Sequence, residues 1–415
     1  MKFKSVLIVF FASISFLLSG QETIKMMQYN LLYYGSYTDW CTSNNNNISD
    51  KADNLAIIID HVQPDIFTVN EMDPSSYSVN HLLGNALNVN GVTHYRSAAI
   101  LNQDDGSLIN MLYYDNTKLE ILSQESVTNG VRDINIYNMR HLNVVPQVRF
   151  SVAVAHLKAG YDDSSERAYA TSQFMEYWSN QSDKRNVIFA GDFNVYTSDE
   201  PAYQNLMNPS QGNIQFVDPV DQPGDWGDYS FRYYHTQSTH DSDDGCPSYG
   251  GMDDRFDFIL VSDDVMSGEN SMLYVEDSYT TLGQDGNRYN GSLIDPVNTS
   301  APSEVIYAMY NFSDHLPVIA EFELGETGIT EFSSQQSFSI EQLEVSESSI
   351  RFDLLSELPK SGTLVLYNIL GRVITSTDFS FHGRDKFKLP VSESGLMVLQ
   401  ICTDDGYCES FRIVK

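Results

Sequence analysis

Basic residues are scarce in this chain. Its 415 residues hold 24 Lys and Arg against 56 Asp and Glu, a formal net charge of −32. A broad basic face is therefore excluded as the main grip on a polyanion. Phosphate chemistry is not excluded, because a bound divalent cation is the largest local charge in a site and inverts its field. Cysteine is sparse too: Cys41, Cys246, Cys402 and Cys408. No close Cys/His cluster exists, which argues against a thiolate-held metal. Beyond the N-terminus there is no long apolar run, so no later segment reads as transmembrane. Internal repeats are absent.

What the N-terminus does have is a secretory signal over residues 1–20. Lys2 and Lys4 form a basic start, residues 6–18 an apolar run, and Ser19-Gly20 a small-residue exit, with cleavage expected before Gln21. The run is shorter than the about 20 residues a bilayer needs, and no Cys follows Gly20 to carry a lipid anchor. Export makes disulfides the expected state of the cysteines. Three pairings are open; the hairpin-like turn between Cys402 and Cys408 favours a local bond there, which leaves Cys41 with Cys246.

The apolar fraction of 41%, with 25 Tyr and 22 Phe, is enough for a sizeable core. Leu55, Ile58, Ile59 and Val62 fall on helical spacing and predict a helix over 52–62, with Asp50 as its N-cap. A second helix is predicted over 165–179. Strands are predicted at 24–30, 66–70, 109–114, 147–156, 186–190, 256–261 and 316–322. The run Asn44 to Asn47 reads as a solvated loop. The Gly- and Asp-rich loop 241–254 is a place for a structural Ca²⁺, although it lacks EF-hand spacing. Residues 325–342, rich in Ser, Gly, Thr and Gln, read as a linker. Short strands between turns over 343–415 predict a small β-sandwich.

Polar residues cluster where the strand-like runs end. Asn30 closes the first run and Glu71 follows the second. His156 ends Val152-Ala153-Val154-Ala155. Gly191-Asp192-Phe193-Asn194 follows Val187-Ile188-Phe189-Ala190. Asp257 opens an apolar run after Arg255, and Asp314-His315 precedes Leu316-Pro317-Val318. Strand ends are where rigid scaffolds present chemistry. Asp192 and Asn194 lie two apart and share one face in extended backbone. Together these residues suit one acidic, imidazole-bearing, metal-binding site.

In this order and spacing, residues 24–324 resemble the endonuclease/exonuclease/phosphatase superfamily, the fold of pancreatic-type deoxyribonuclease. The resemblance implies an α/β fold, a four-layered sandwich of two packed β-sheets flanked by helices, occupying 21–324 ahead of the C-terminal β-sandwich. It implies a metal held by Glu71 with Asn30 and Asp314, the metal being Mg²⁺ or Mn²⁺. It assigns water activation to Asp192, phosphate contact to Asn194, and phosphate or nucleophile contact to His315. His156 would serve the leaving group, and Asp257 would orient one of the two imidazoles. An Arg before the His156 strand reaches phosphate in the family; Arg140 is preferred here over Arg132, and Asn110 occupies a substrate-side Asn position. Leu32, two after Asn30, departs from the acidic residue of repair-type members.

Segments of 343–415, among them Leu366-Tyr367-Asn368-Ile369-Leu370-Gly371-Arg372-Val373, resemble the C-terminal sorting domain of proteins exported by the type nine secretion system. The expected function is a secreted, divalent-metal-dependent phosphodiesterase acting on DNA, with RNA as a second polymer. The expected partners are nucleic acid as substrate and the secretion and sorting machinery. Two further substrate classes keep the same chemistry: phosphomonoesters, and phospholipids of the sphingomyelin kind. A non-catalytic binding or adhesin protein on the same fold is the alternative from another class.

Overall fold

The computed structural model describes residues 22–210, 213–325, 339–346, 348–368, 372–391, 396–403 and 408–414. The signal segment and most of the linker lie outside these residues. The chain divides into two compact units, one up to Ile329 and one from Thr330.

The first unit contains strands β1 (Glu22–Tyr34), β2 (Ile66–Met72), β3 (Tyr95–Ser97), β4 (Ile109–Asp115), β5 (Leu119–Val127), β6 (Ile134–His141), β7 (Arg149–His156), β8 (Val187–Asp192), β9 (Phe216–Val217), β10 (Asp257–Ser262), β11 (Met272–Tyr274), β12 (Thr280–Thr281) and β13 (Val318–Leu324). Its helices are α1 (Ile48–Val62), α2 (Ser76–Leu82), α3 (Ser164–Ser179), α4 (Pro201–Met207), α5 (Asp263–Ser267) and α6 (Ser303–Phe312). One sheet runs β11-β13-β1-β2-β4-β3, with β12 on β13; the other runs β5-β6-β7-β8-β10-β9.

Side-chain alternation explains the layering. In β7, β8 and β10, Val152, Val154, Ile188, Ala190, Ile259 and Val261 join the core of the first sheet. Their neighbours Ala153, Ala155, Val187, Phe189, Phe258 and Leu260 point the other way and pack with Phe174 and Trp178 of α3 and Leu206 of α4. Both faces of these strands are apolar, so they read as near-continuous hydrophobic runs. Helices α1 and α6 cover the remaining face of the first sheet, with the Phe312 ring 5.1 Å from that of Tyr29. The predicted four-layered α/β sandwich is the architecture observed.

Two local expectations change. The cap of α1 is Asn47, whose side chain accepts from the backbone of Ser49 and Asp50, so the helix starts earlier than the apolar spacing alone indicated. The asparagine run is not wholly solvated: Asn46 is buried and donates to the carbonyls of Leu32 and Tyr33.

The second unit is a five-stranded antiparallel sheet. Its strands are β14 (Ser339–Val345), β15 (Ser349–Asn368), β16 (Val373–Pro390), β17 (Leu396–Thr403) and β18 (Cys408–Val414), with β16 pairing β15. The β15–β16 ladder shifts register between Ser356 and Lys360. Ile350 and Leu354 from before that break share a core with Leu364 and Leu366 from after it, so the sheet folds over on itself.

Candidate active site

The ladder of the second sheet sets the catalytic row. His156 at the end of β7 lies opposite Asp192 at the end of β8, and Asp192 lies opposite Asp257 at the start of β10. Three chemistry-bearing side chains thus stand abreast on one rim. The close approach of β7 and β8 depends on Gly191. Its φ is +149°, and a Cβ there would meet the Ala155 carbonyl oxygen at 1.8 Å. Across the interface, Asn30 of β1 pairs in register with Asn70 of β2. Asn70 joins the two sheets: its Oδ1 accepts from the Asp192 backbone at 3.0 Å and its Nδ2 donates to the Ala155 carbonyl at 3.0 Å.

Glu71, His156 and Asp192 each offer one ligand atom, and these atoms all lie within 4.8 Å of one another; among the described residues no other His, Cys, Asp or Glu group does so. The loop 241–254, expected to suit Ca²⁺, therefore brings no such trio together. Glu71 adopts a left-handed backbone (φ 59°). Its Oε2 accepts from the Tyr33 backbone at 3.2 Å and its Oε1 from Asn30 Nδ2 at 3.2 Å. Burial and then Asp314 push its carboxyl upward, against His315, Asn30 and Arg132. Asp192 is raised likewise by burial, with Asp257 and Glu71 adding to it and His315 and Asn30 opposing. Gathered buried carboxylates of this kind, with oxygen ligands on a rigid rim, fit a divalent cation such as Mg²⁺ or Mn²⁺.

Asn30 does not offer its carbonyl to that centre. Its Oδ1 accepts from the Leu32 backbone at 3.0 Å, which turns the amide nitrogen toward Glu71, toward Asp192 Oδ2 (2.9 Å) and toward His315 Nε2 (3.4 Å). Asn194, at φ 50°, donates to Asp192 Oδ1 at 2.8 Å and to the Leu157 carbonyl at 3.3 Å. Asp192 is thereby held at both oxygens. Asp314 accepts from the Ser248 backbone and from Gln237, each at 3.0 Å.

The two histidines are held differently. His315 Nδ1 lies 2.7 Å from Asp257 Oδ2, so Asp257 orients His315. Burial disfavours the imidazolium, but Asp257 and Asp192 outweigh it and hold the group well above its ordinary value. Its Nε2 faces Gln237 Nε2 at 2.8 Å and Asp192 Oδ2 at 3.8 Å. His156 is pushed well below its ordinary value by burial, then by Arg132 and His315. Arg132 Nη1 contacts His156 Nδ1. A guanidinium only donates, so His156 is neutral and carries its proton on Nε2, 3.4 Å from Asp192 Oδ2 and 3.9 Å from Glu71 Oε1.

Two substrate-side expectations are corrected. Arg140 pairs with Glu120 across the β5–β6 ladder and sits in register with Arg149, at the opposite end of β7 from His156. At about 3.3 Å per residue that is roughly 23 Å from the site. Arg132, in the loop before β6, is the arginine that reaches the centre. Asn110 is buried and fully engaged in the scaffold, with Asn70 at 2.7 Å, the Asp133 carbonyl at 2.8 Å and the Val154 carbonyl at 3.3 Å. Gln237 was not legible in advance, because a loop glutamine carries no local signal until the fold sets it between Asp314 and His315.

Residues 27–315 of the 415 match the Endonuclease/Exonuclease/phosphatase family. No curated protein matches the chain. Among solved structures, D. rerio TDP2 complexed with single-strand DNA product is 16% identical, with 72% of this chain and 98% of that chain covered at a TM-score of 0.46. The human Nocturnin catalytic domain with bound sulfate is 15% identical, with 73% and 97% covered at a TM-score of 0.46. An endonuclease/exonuclease/phosphatase family protein from Bacteroides thetaiotaomicron is 13% identical, with 74% and 96% covered at a TM-score of 0.47. The family match spans well over half of the chain and contains every residue of the rim just described, and the chain belongs to the endonuclease/exonuclease/phosphatase family of metal-dependent phosphoester hydrolases.

Proposed function

We propose that this protein is an exported phosphodiesterase that hydrolyses nucleic acid, DNA foremost, with Mg²⁺ or Mn²⁺ as its cofactor. The observation that carries the reading is the juxtaposition, on one buried rim, of the Glu71–His156–Asp192 trio with the Asp257–His315 pair. Glu71 and Asp192 are the oxygen donors suited to the cation. When bound, the cation neutralises charge on the phosphate and on the oxygens that attack and leave.

The chain's own residues supply the rest. Asp192, its two oxygens fixed by Asn30 and Asn194, is placed to take a proton from the attacking water. His315, oriented through Nδ1 by Asp257, presents Nε2 beside Asp192, and His156 offers its Nε2–H from the other side of Asp192. Arg132 brings a fork of N–H donors matched to phosphate. Tyr161, 76% exposed and five residues after His156, meets Tyr196 edge-on at 5.2 Å, an exposed aromatic pair of the kind on which bases stack.

A specific feature favours smaller phosphoesters as a second reading. Asp254 and His315 both form backbone bridges with Gln237, so the neighbouring carboxyls of Asp253 and Asp254 lie on the His315 side of the site. An acidic flank beside His315 disfavours an extended polyanion on that side. Hydrolysis assays on plasmid DNA, RNA, sphingomyelin vesicles and nitrophenyl phosphoesters with Mg²⁺, Mn²⁺ or Ca²⁺ separate these. Internal nicking of DNA supports the proposal; turnover of a lipid or small ester without DNA cleavage replaces it.

Export rests on residues 1–20 and sorting on 343–415. Removing everything after Thr327 should leave hydrolysis intact and block release of the protein from its host; unchanged release would remove the sorting assignment.

A further inference from the structure

We propose that the Cys41–Cys246 disulfide is a positioning element of the metal centre, setting its affinity through the two loops it joins. This rests on the metal-centre reading above. The bond links residues 205 apart in sequence, and both cysteines are buried. Cys41 and Cys246 pack against Leu32 and the partly buried Tyr33 in a small apolar cluster of their own.

A segment beside each cysteine holds a site carboxylate by a backbone N–H. On the Cys41 side, Tyr33 donates to Glu71 Oε2 at 3.2 Å, and Leu32 donates to Asn30 Oδ1 at 3.0 Å. On the Cys246 side, Ser248, two residues on, donates to Asp314 Oδ2 at 3.0 Å. The Ser248 carbonyl is in turn held by Ser238 Oγ at 2.6 Å.

The end of β1, which packs on the disulfide, needs such a constraint. Leu32 (φ 45°) and Tyr33 (φ 54°) both lie in the left-handed region, as does Glu71 itself. Neither has the short polar side chain that eases this conformation, and such residues persist only where their surroundings over-determine them. Asn46 grips the carbonyls of both. The disulfide packs against their side chains. Breaking it frees Tyr33 to relax to an ordinary backbone, which withdraws its N–H from Glu71. Partners of this kind, one shell out from a metal, are worth about 10- to 100-fold in affinity. The centre would then be competent only where the disulfide survives.

The test measures Mn²⁺ binding by titration calorimetry on the full-length protein, oxidised and then reduced, in a Cys402→Ala, Cys408→Ala background so that reduction acts on one bond. Thiol alkylation and mass spectrometry confirm the redox state, and circular dichroism confirms the fold. The expected result is at least tenfold weaker Mn²⁺ binding in the reduced, folded protein. Equal affinity in both states overturns the proposal while leaving the metal centre standing. No Mn²⁺ binding by the oxidised protein overturns the metal-centre reading, and the proposal with it. Should reduction unfold the chain, the double variant Cys41→Ala, Cys246→Ala, which lacks the bond without any reductant, supplies the second arm: unchanged Mn²⁺ affinity in that variant overturns the proposal.

Discussion

Asp257 Oδ2 and His315 Nδ1 lie 2.7 Å apart with both side chains buried, and Asp257 Oδ1 has no hydrogen-bond partner among the described residues. One carboxylate is thus committed to one imidazole. Asp257→Asn keeps the shape and removes the charge that favours the imidazolium. We expect kcat to fall by about 10²-fold or more, with KM nearly unchanged, because the loss is felt at the chemical step. The pH limb belonging to His315 should move to lower pH. Steady-state kinetics from pH 5 to 9 check both; an unmoved limb would detach Asp257 from His315 function.

Arg132 and Arg140 give opposite forecasts. Arg132→Ala removes the donor at His156 Nδ1, so kcat/KM should fall at least about 30-fold, and Arg132→Lys should recover little because the fork is lost. Arg140→Ala breaks a part-exposed pair with Glu120, worth at most about 1 kcal/mol of stability, and should leave kinetics within about twofold. Reversed effects would return the phosphate role to Arg140.

Lys51 gives a stability forecast. It is buried in α1, its Nζ bonds the Phe312 carbonyl and lies 4.5 Å from the Phe312 ring centroid. Burial pushes its ammonium down to about 7, with Asp314 and Glu71 opposing. In the unfolded chain it titrates near about 10.4. Below 7 the cost of burying the charge is fully present. As pH rises from 7 toward 10.4 the unfolded chain binds a proton the folded one has released, so folding strengthens. Relative to the parent, Lys51→Met should therefore be at its most favourable near pH 6 and lose ground by pH 10 in urea melts done with chelator. A difference that does not change with pH would contradict the buried, titrating lysine.

The sequence read best where chemistry and periodicity coincide. His156, Asp192 and Asp257 are legible because each borders an apolar strand, and the ladder then sets them abreast. Glu71 and His315 are visible for the same reason. Arg140 misled because it precedes β7 in sequence, whereas antiparallel pairing carries it to the strand's far end. Asn110 misled because a strand Asn can equally be the polar link between two sheets. Gln237, Tyr33 and Ser248 were illegible: two act through backbone N–H groups, which carry no residue signature, and all three depend on long-range loop placement. The left-handed stretch at Leu32 and Tyr33 also follows from tertiary contacts, since neither residue type announces it.

The most direct test of a metal-dependent phosphodiesterase is DNA hydrolysis by purified, metal-stripped protein, titrated with Mg²⁺ alongside Glu71→Gln. The account predicts no cleavage in chelator, recovery with Mg²⁺ in the parent, and a loss of at least about 10²-fold in Glu71→Gln at the same Mg²⁺ concentration. Undiminished cleavage in chelator, or parent-like Mg²⁺-dependent activity in folded Glu71→Gln, would contradict it.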